Sequence, residues 1–333
     1  MDDATEPIER RTFDAQELMA QHPPRWRDAN KRHVAEVSCP PGSTHRGALG
    51  FTRWAAVTLP PNLEPADDAF VTAVPGFYDY RPVPDPSGAI EWHVNFADPH
   101  LFGYYGGGLL AQDELQVAEH PALGTLKEAL ASAGIAATTL GSADPTPILV
   151  TGVERRVAIA TDPDAVAGRP RGLYGNAFAA ADPEVVRRAA TRIDPPTISN
   201  LVAMSAPPGG HGTYRAGEIE SILVTATTGF RAAVIESARI GPAGAAVAVH
   251  TGFWGCGAFG GNRVLMALLQ AVAARLAGLD RLVFHTGGPG GETPLREGLE
   301  TLATLTGGVR TDTSRLIAAL AELGFRWGAS NGT

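Results

Sequence analysis

Cysteine is nearly missing from this chain of 333 residues: only Cys39 and Cys256 are present. Two thiols cannot build a disulfide framework, nor a zinc site on their own. Long apolar runs are missing too. Nothing approaches the roughly 18–20 apolar residues of a membrane span. The opening MDDATEPIERR has neither the basic n-region nor the apolar h-region of a signal peptide. These absences point to a reduced cytoplasmic protein with no membrane partner. An excess of basic charge is also lacking: 27 Lys and Arg stand against 35 Asp and Glu, for a net charge of -8. That balance argues against a broad nucleic-acid surface, which needs cations to neutralise phosphates. A small anionic ligand stays open, because backbone N–H groups hold phosphate without side-chain charge. The nine histidines show no metal-ligand spacing. His93, His100, His120 and His211 are read as scattered around loops, and no metal or redox cofactor is expected. Nothing in the sequence indicates an oligomeric state.

Apolar residues and glycine are abundant. At 44% hydrophobic content, a chain of this length buries a sizeable core. Apolar runs bounded by turn residues recur at 89–97, 147–153, 156–160, 197–204, 245–250 and 281–286. Helical patterns lie near 109–119, 122–133, 183–190, 215–236, 261–277, 293–305 and 312–323. Such alternation implies βαβ units around a parallel or mixed sheet. Residues 1–50 are polar and proline-punctuated, with a short helix near Asp14–Gln21. RWAAVTL (53–59) and DAFVTAV (68–74) read as strands, and 77–89 as a loop or linker. We therefore expect residues 1–88 to be an accessory segment packed on a domain of residues 89–333.

Five glycines fall within Gly252–Gly261, in the stretch HTGFWGCGAFGGN. The run AAVAVH before it suits a strand buried on both faces. Leu265, Leu268, Leu269, Val272 and Leu276 follow at helical spacing. Strand, glycine loop and helix in that order build an anion site: glycine lets the backbone approach a phosphate, and the helix start supplies unpaired N–H donors. Trp254 and Phe259 are placed to pack on a ribose or base; the alternative is a tight turn whose aromatics fill core. Cys256 lacks a histidine partner and reads as inert. Ser205, in MSAPPGG, lacks the context of a nucleophile elbow.

A second cluster lies in EWHVNFADPHLFGYYGGGLLAQDELQ (91–116). A strand ends near Phe96-Ala97, and a loop carries Gly103 and Gly106–Gly108. A helix then opens with Gln112, Asp113 and Glu114 in its first turns. The positive end of its dipole favours ionised carboxylates there. Adjacent helical side chains diverge by about 100°, so Asp113 and Glu114 should have different roles. Sugar chemistry uses such a pair: one acid protonates a leaving group and another group holds hydroxyls. The plain alternative is a solvated helix start.

The two segments together resemble the catalytic domain of poly(ADP-ribose) glycohydrolases, a branch of the macrodomain fold. TGFWGCGAFGGN (251–262) is similar to that family's T-G-N-W-G-C-G-A-F-G-G-D, VNFAD (94–98) to its D-F-A-N, and Gln112-Asp113-Glu114 to its Q-E-E. VERRVAIA (153–160), LYGNAF (173–178), ISNLVAMSA (198–206), IESILVTATTGF (219–230) and FHTGG (284–288) extend the likeness in order, over roughly residues 89–290. The resemblance implies a three-layer α/β/α macrodomain-like mixed sheet with an N-terminal extension. It implies that Glu114 is the proton donor and that Asp113 orients ribose hydroxyls. Gly255, Cys256, Gly257, Ala258 and Phe259, with Trp254 among them, would hold the diphosphate and distal ribose, and Tyr174 would close over the ligand. Phe96, Asp98, Gln112 and the triple glycine Gly106, Gly107 and Gly108 complete the expected binding set.

Three departures from the pattern stand out. Aligned without gaps, the family's triple glycine falls on Phe102-Gly103-Tyr104. Asp98 replaces the asparagine of D-F-A-N, and Asp113 replaces the first glutamate of the signature. Two aromatics at the glycine positions should narrow the cleft. The reading is a hydrolase that cleaves a ribosyl bond of ADP-ribose conjugates. Its alternatives are a non-catalytic ADP-ribose reader and a hydrolase of another nucleotide glycoside.

Overall fold

The computed structural model describes residues 6–65, 70–82, 88–142 and 144–332. In chain order the elements are β1 (Glu9–Asp14), α1 (Ala15–Gln21), α2 (Ala29–Ser38), β2 (Ala48–Arg53), β3 (Asn62–Leu63), β4 (Val71–Val74) and β5 (Ile90–Phe96). Then come α3 (Gln112–Glu119), α4 (Ala122–Ser132), β6 (Ile148–Ile159), α5 (Pro183–Ala189), β7 (Ala190–Met204) and α6 (Ala216–Ile240). The chain continues with β8 (Val247–Thr251), α7 (Arg263–Ala277), β9 (Arg281–His285), α8 (Glu292–Thr306), β10 (Thr311–Asp312) and α9 (Thr313–Glu322).

Eight strands form one sheet in the order β1-β2-β6-β7-β5-β8-β9-β4, while β3 and β10 make a separate pair. From β7 to β4 all neighbours are parallel; β6, β2 and β1 join antiparallel. The sheet is therefore mixed, with both faces covered. Side chains alternate across a strand, and the core divides accordingly. Leu149, Val202, Met204, Trp92, Val94 and Val249 point to the face that carries α6, α7 and α9. Ile148, Val150, Leu201 and Ala203 point to the other face, where α1 and α4 pack. The architecture is the three-layer mixed sheet that the motifs imply, of macrodomain type.

Most helices fall within a few residues of their sequence patterns, because each buries an apolar stripe. The strands differ more. The runs at 147–153 and 156–160 are one strand, β6, and β7 begins at Ala190 rather than residue 197. Pro195 and Pro196 fall where the β6–β7 register shifts between Arg155 and Val157, the kind of irregularity that tolerates residues without an N–H. In place of a strand at 53–59, β2 covers Ala48–Arg53. Beyond it Trp54 is buried on the α6–α7 side, and the Val57 N–H donates to Thr228 Oγ1 at 3.1 Å. Of the strand read at 68–74, residues 71–74 form β4 and residues 68–69 lie outside the described residues, as do 83–87 of the segment read as a linker. Residues 9–14, 48–53 and 71–74 supply three of the eight strands.

The half of the α1–α4 face nearest β5, β8 and β9 carries rings instead of aliphatics. His93 stacks on His250 at 4.4 Å, and His250 Nδ1 lies 3.0 Å from His285 Nε2. Over them runs the irregular segment that holds Tyr78 and Tyr80. The Tyr78 hydroxyl lies 3.2 Å from the carbonyls of both Val94 and His250, and Tyr80 lies against His93 and His120. Two histidines expected in loops, His93 and His120, are thus buried, one within β5 and one at the C-terminal cap of α3. Among the described residues no group of three or more His, Cys, Asp or Glu is arranged to hold a metal ion, and no helix is long and apolar enough to cross a membrane.

Candidate active site

The start of α3 and the loop between β8 and α7 face one another across a cleft of about 190 Å³. Its walls include Phe96, Ala97 and Asp98 from the end of β5, Gln112, Asp113 and Glu114 from α3, Tyr174, and Trp254, Gly255, Gly257, Ala258 and Phe259. Eleven of the fifteen residues expected to make the site are therefore together.

The other four are Gly106, Gly107, Gly108 and Cys256, none of which is among the lining residues. The triple glycine meets residues 25–28 instead. A side chain at Gly106 would strike the Arg25 carbonyl, and one at Gly108 would lie 2.7 Å from Ala179 Cβ. The Gly106 carbonyl accepts from the N–H groups of Arg27 and Asp28 at 2.8 and 3.0 Å. Bare backbone is used here for packing. Burial pushes the Cys256 thiol up to about 12, which leaves no thiolate nucleophile at neutral pH.

The aromatics at the family's glycine positions part company. Phe102 takes a left-handed φ of 52° and is buried against the α1–α4 core, so it does not narrow the cleft. Tyr104 is 58% exposed and lines it. Tyr174 stands at the rim, its ring stacked on that of Phe77 at 6.3 Å.

Asp113 and Glu114 are both buried. Asp113 Oδ1 accepts from Asn95 Nδ2 at 3.0 Å, while its Oδ2 has no partner among the described residues. Glu114 Oε2 accepts from the Ala111 N–H at 3.1 Å. The dipole at the start of α3 favours ionised carboxylates, but burial outweighs it. Burial, reinforced by the adjacent Glu114, raises the Asp113 carboxyl to about 8. Burial likewise holds Glu114 above the usual carboxylate range. The pair keeps a proton where ordinary carboxylates have lost theirs. Gln112 is occupied by the fold: its amide bridges β5, accepting from the Phe96 N–H at 2.7 Å and donating to the Val94 carbonyl at 3.1 Å.

On the opposite wall, Gly255 takes φ 74°, and a Cβ there would lie 2.5 Å from Ala206 Cβ. Trp254 is buried and donates Nε1–H to the Met204 carbonyl at 3.0 Å, which ties the loop to the end of β7. Among the described residues no acceptor takes the N–H groups of Gly255, Gly257, Ala258 or Phe259. Four unpaired donors on one wall of a cleft make an anion site. Asn262 caps α7, accepting from the N–H groups of Val264 and Leu265.

Two further contributors lie outside the residues that the motifs mark. Asn95 lies two residues after His93 on β5 and so shares its face; that alternation was the available signal. Lys31, in α2, is buried with Nζ donating to the Tyr105 carbonyl at 2.9 Å. In the polar run NKRH it reads as a solvated lysine, and nothing in the sequence marks it.

A mixed three-layer sheet with a glycine loop after a central strand and an acid pair facing it is an arrangement of macrodomain type. Residues 173–290 match the family described as poly(ADP-ribose) glycohydrolase (PARG), macro domain fold, a stretch that includes Tyr174 and the whole glycine loop. The likeness to that family's catalytic domain thus lies in about a third of the chain. Solved structures similar to it include poly(ADP-ribose) glycohydrolase from Thermomonospora curvata bound to the inhibitor ADP-HPD, at 14% identity and a TM-score of 0.45, over 82% of this chain and 99% of that one. The Deinococcus radiodurans enzyme in complex with ADP-ribose is similar at 14% identity and a TM-score of 0.39, over 90% and 97% of the two chains. No curated protein matches the chain.

Proposed function

We propose that this protein hydrolyses a ribosyl bond of ADP-ribose conjugates, with Glu114 as the general acid. The observation that carries the reading is one cleft with two unlike walls: four unpaired backbone N–H groups on the glycine loop, and a buried carboxyl pair with raised proton affinity opposite. The loop donors hold the diphosphate. Glu114 gives its proton to the leaving oxygen as the ribose C1–O bond breaks with oxocarbenium character. Asp113, steadied by Asn95, grips ribose hydroxyls. The bound diphosphate lies close enough to offset the positive charge that develops on the sugar. Water then adds to C1 and returns a proton to the pair. Tyr104 and Tyr174 frame the mouth and favour a terminal or single ADP-ribosyl group over long polymer.

Glu114→Gln keeps the side chain's size and reach but removes the acid. General acid catalysis contributes about 10²–10⁴-fold, so kcat should fall by at least about a hundredfold while ADP-ribose affinity, read by calorimetry, changes little. The assay is ADP-ribose release from an ADP-ribosylated substrate pool. Full turnover by Glu114→Gln would place the acid elsewhere. Binding of ADP-ribose without release from any substrate would make the protein a reader.

A further inference from the structure

The residues that back the acid pair come from the start of the chain, outside the matched stretch. α2 packs against α3, and the segment that leads into α2 is tied to the loop before α3. The Arg25 N–H donates to the Tyr105 hydroxyl at 2.6 Å, and Asn30 Nδ2 donates to the carbonyls of Phe178 and Ala181 at 2.8 and 3.0 Å. Lys31 lies at the centre of this clasp. It is 1% exposed, its Nζ donates to the Tyr105 carbonyl, and it stands 5.8 Å from the centre of the Phe178 ring. Among the described residues no carboxylate lies within 4.0 Å of its Nζ. A buried ammonium with one backbone acceptor is costly unless anions compensate it, and the carboxylates it senses are Glu114, Asp113 and Asp28.

We propose that Lys31 is a positioning residue for the acid pair: its buried ammonium, held on the helix that packs against α3 and anchored to the Tyr105 carbonyl without a direct ion pair, sets the protonation state in which Asp113 and Glu114 meet substrate. A direct ion pair would fix one carboxylate as an anion and remove it from proton transfer. A cation kept one shell further back biases the pair while leaving its oxygens to the ligand. Other groups act on the same carboxyls. Asp98, in the loop after β5, raises the proton affinity of both, Lys127 on α4 senses Asp113, and Tyr174 senses Glu114. Of the two lysines, Lys127 is only half-buried and is turned to the carbonyls of Phe102 and Gly103, so its charge is better screened. Burial lowers the Lys31 ammonium to about 8, so it is charged at neutral pH.

The test has two arms. The first needs no substrate: the side-chain ¹³Cε signal of Lys31 is followed against pH in the wild type and in Asp113→Asn/Glu114→Gln. Loss of the carboxylates should lower the Lys31 midpoint measurably, and an unchanged midpoint overturns the proposal. The second arm rests on the hydrolase reading and compares kcat/KM against pH for the wild type, Lys31→Met and Lys31→Arg. An opposite charge nearby typically lowers a carboxyl by 1–3 units, so its loss should move the profile to higher pH by about one unit. Lys31→Arg should restore the position of the profile. A folded Lys31→Met enzyme that is slower but has an unshifted profile would show a merely structural role. If the wild type releases no ADP-ribose, the hydrolase reading fails and the first arm still decides on Lys31. If Lys31→Met does not fold, the first arm again decides.

Discussion

Asp113 is a buried acid whose position works against stability at neutral pH. Its folded-state proton affinity lies near 8, raised by burial from an ordinary value of 3.8. Between those two values the folded protein binds a proton that the unfolded chain has released, so this group's contribution to stability falls as pH rises from about 4 to about 8. Asn at the same position keeps the shape without the titration. Asp113→Asn should therefore be more stable than the wild type at pH 8, with the gap closing toward pH 4, as read from melting temperatures across that range. A gap that widens toward acid would contradict the assignment. The same variant should bind ADP-ribose more weakly. A site kept for chemistry at the expense of stability is a common compromise.

At the scale of elements, the glycine loop and α3 owe their placement to different kinds of signal. The loop is legible because its need is local: Gly255 must take a positive φ and approach Ala206, and only glycine does both without strain. Gly255→Ala should cost about 1–3 kcal/mol, the range for backbone held in a sparsely populated region plus a close contact. It should also lower ADP-ribose affinity; urea unfolding and calorimetry read the two effects, and unchanged values would mean that the loop relaxes freely. The acid pair was legible as a pair but not as a buried one, since burial depends on elements distant in sequence, among them the polar α2, which packs on α3. Phe102 misleads for the same reason: the sequence shows an aromatic where backbone should be, and only the fold turns the ring into the core.

Across the whole molecule, the helices and the central strands could be read from periodicity, whereas β1, β2 and the polar α2 could not. ALGFTR and ERRTFD lack clean alternation; their pairing is decided by partners far along the chain. The buried rings beneath Tyr78 and Tyr80 are likewise long-range. His93, on β5, meets His250 on β8, and both lie near His285 on β9. Burial lowers His93 well below its ordinary range, His285 to about 4 and His120 to about 3. A depressed folded-state value gives stability that is present above the unfolded value of 6.5 and is lost as pH falls through the folded values. The groups that face these rings include Tyr78, Tyr80, Arg155, Glu119, Asp79 and Glu91, whose carboxylate lies 3.7 Å from His250 Nε2. The protein should therefore lose stability between about pH 6.5 and 4, and His285→Gln should flatten that slope; an unflattened slope would mean that the ring cluster does not govern acid unfolding.

The strand order also carries a consequence in time. On the ribosome β1 and β2 emerge long before their neighbour β6, and β4 emerges long before β9, its one partner among the described strands. Strands that wait with open edges are slow to fold and need protection from other chains. The cleft inherits this delay: its acid pair is made early, its back wall earlier still, and its glycine-loop wall only when the loop before α7 has been synthesised. A nascent chain therefore lacks one whole wall of its cleft, which is completed in one late step with the closing of the sheet.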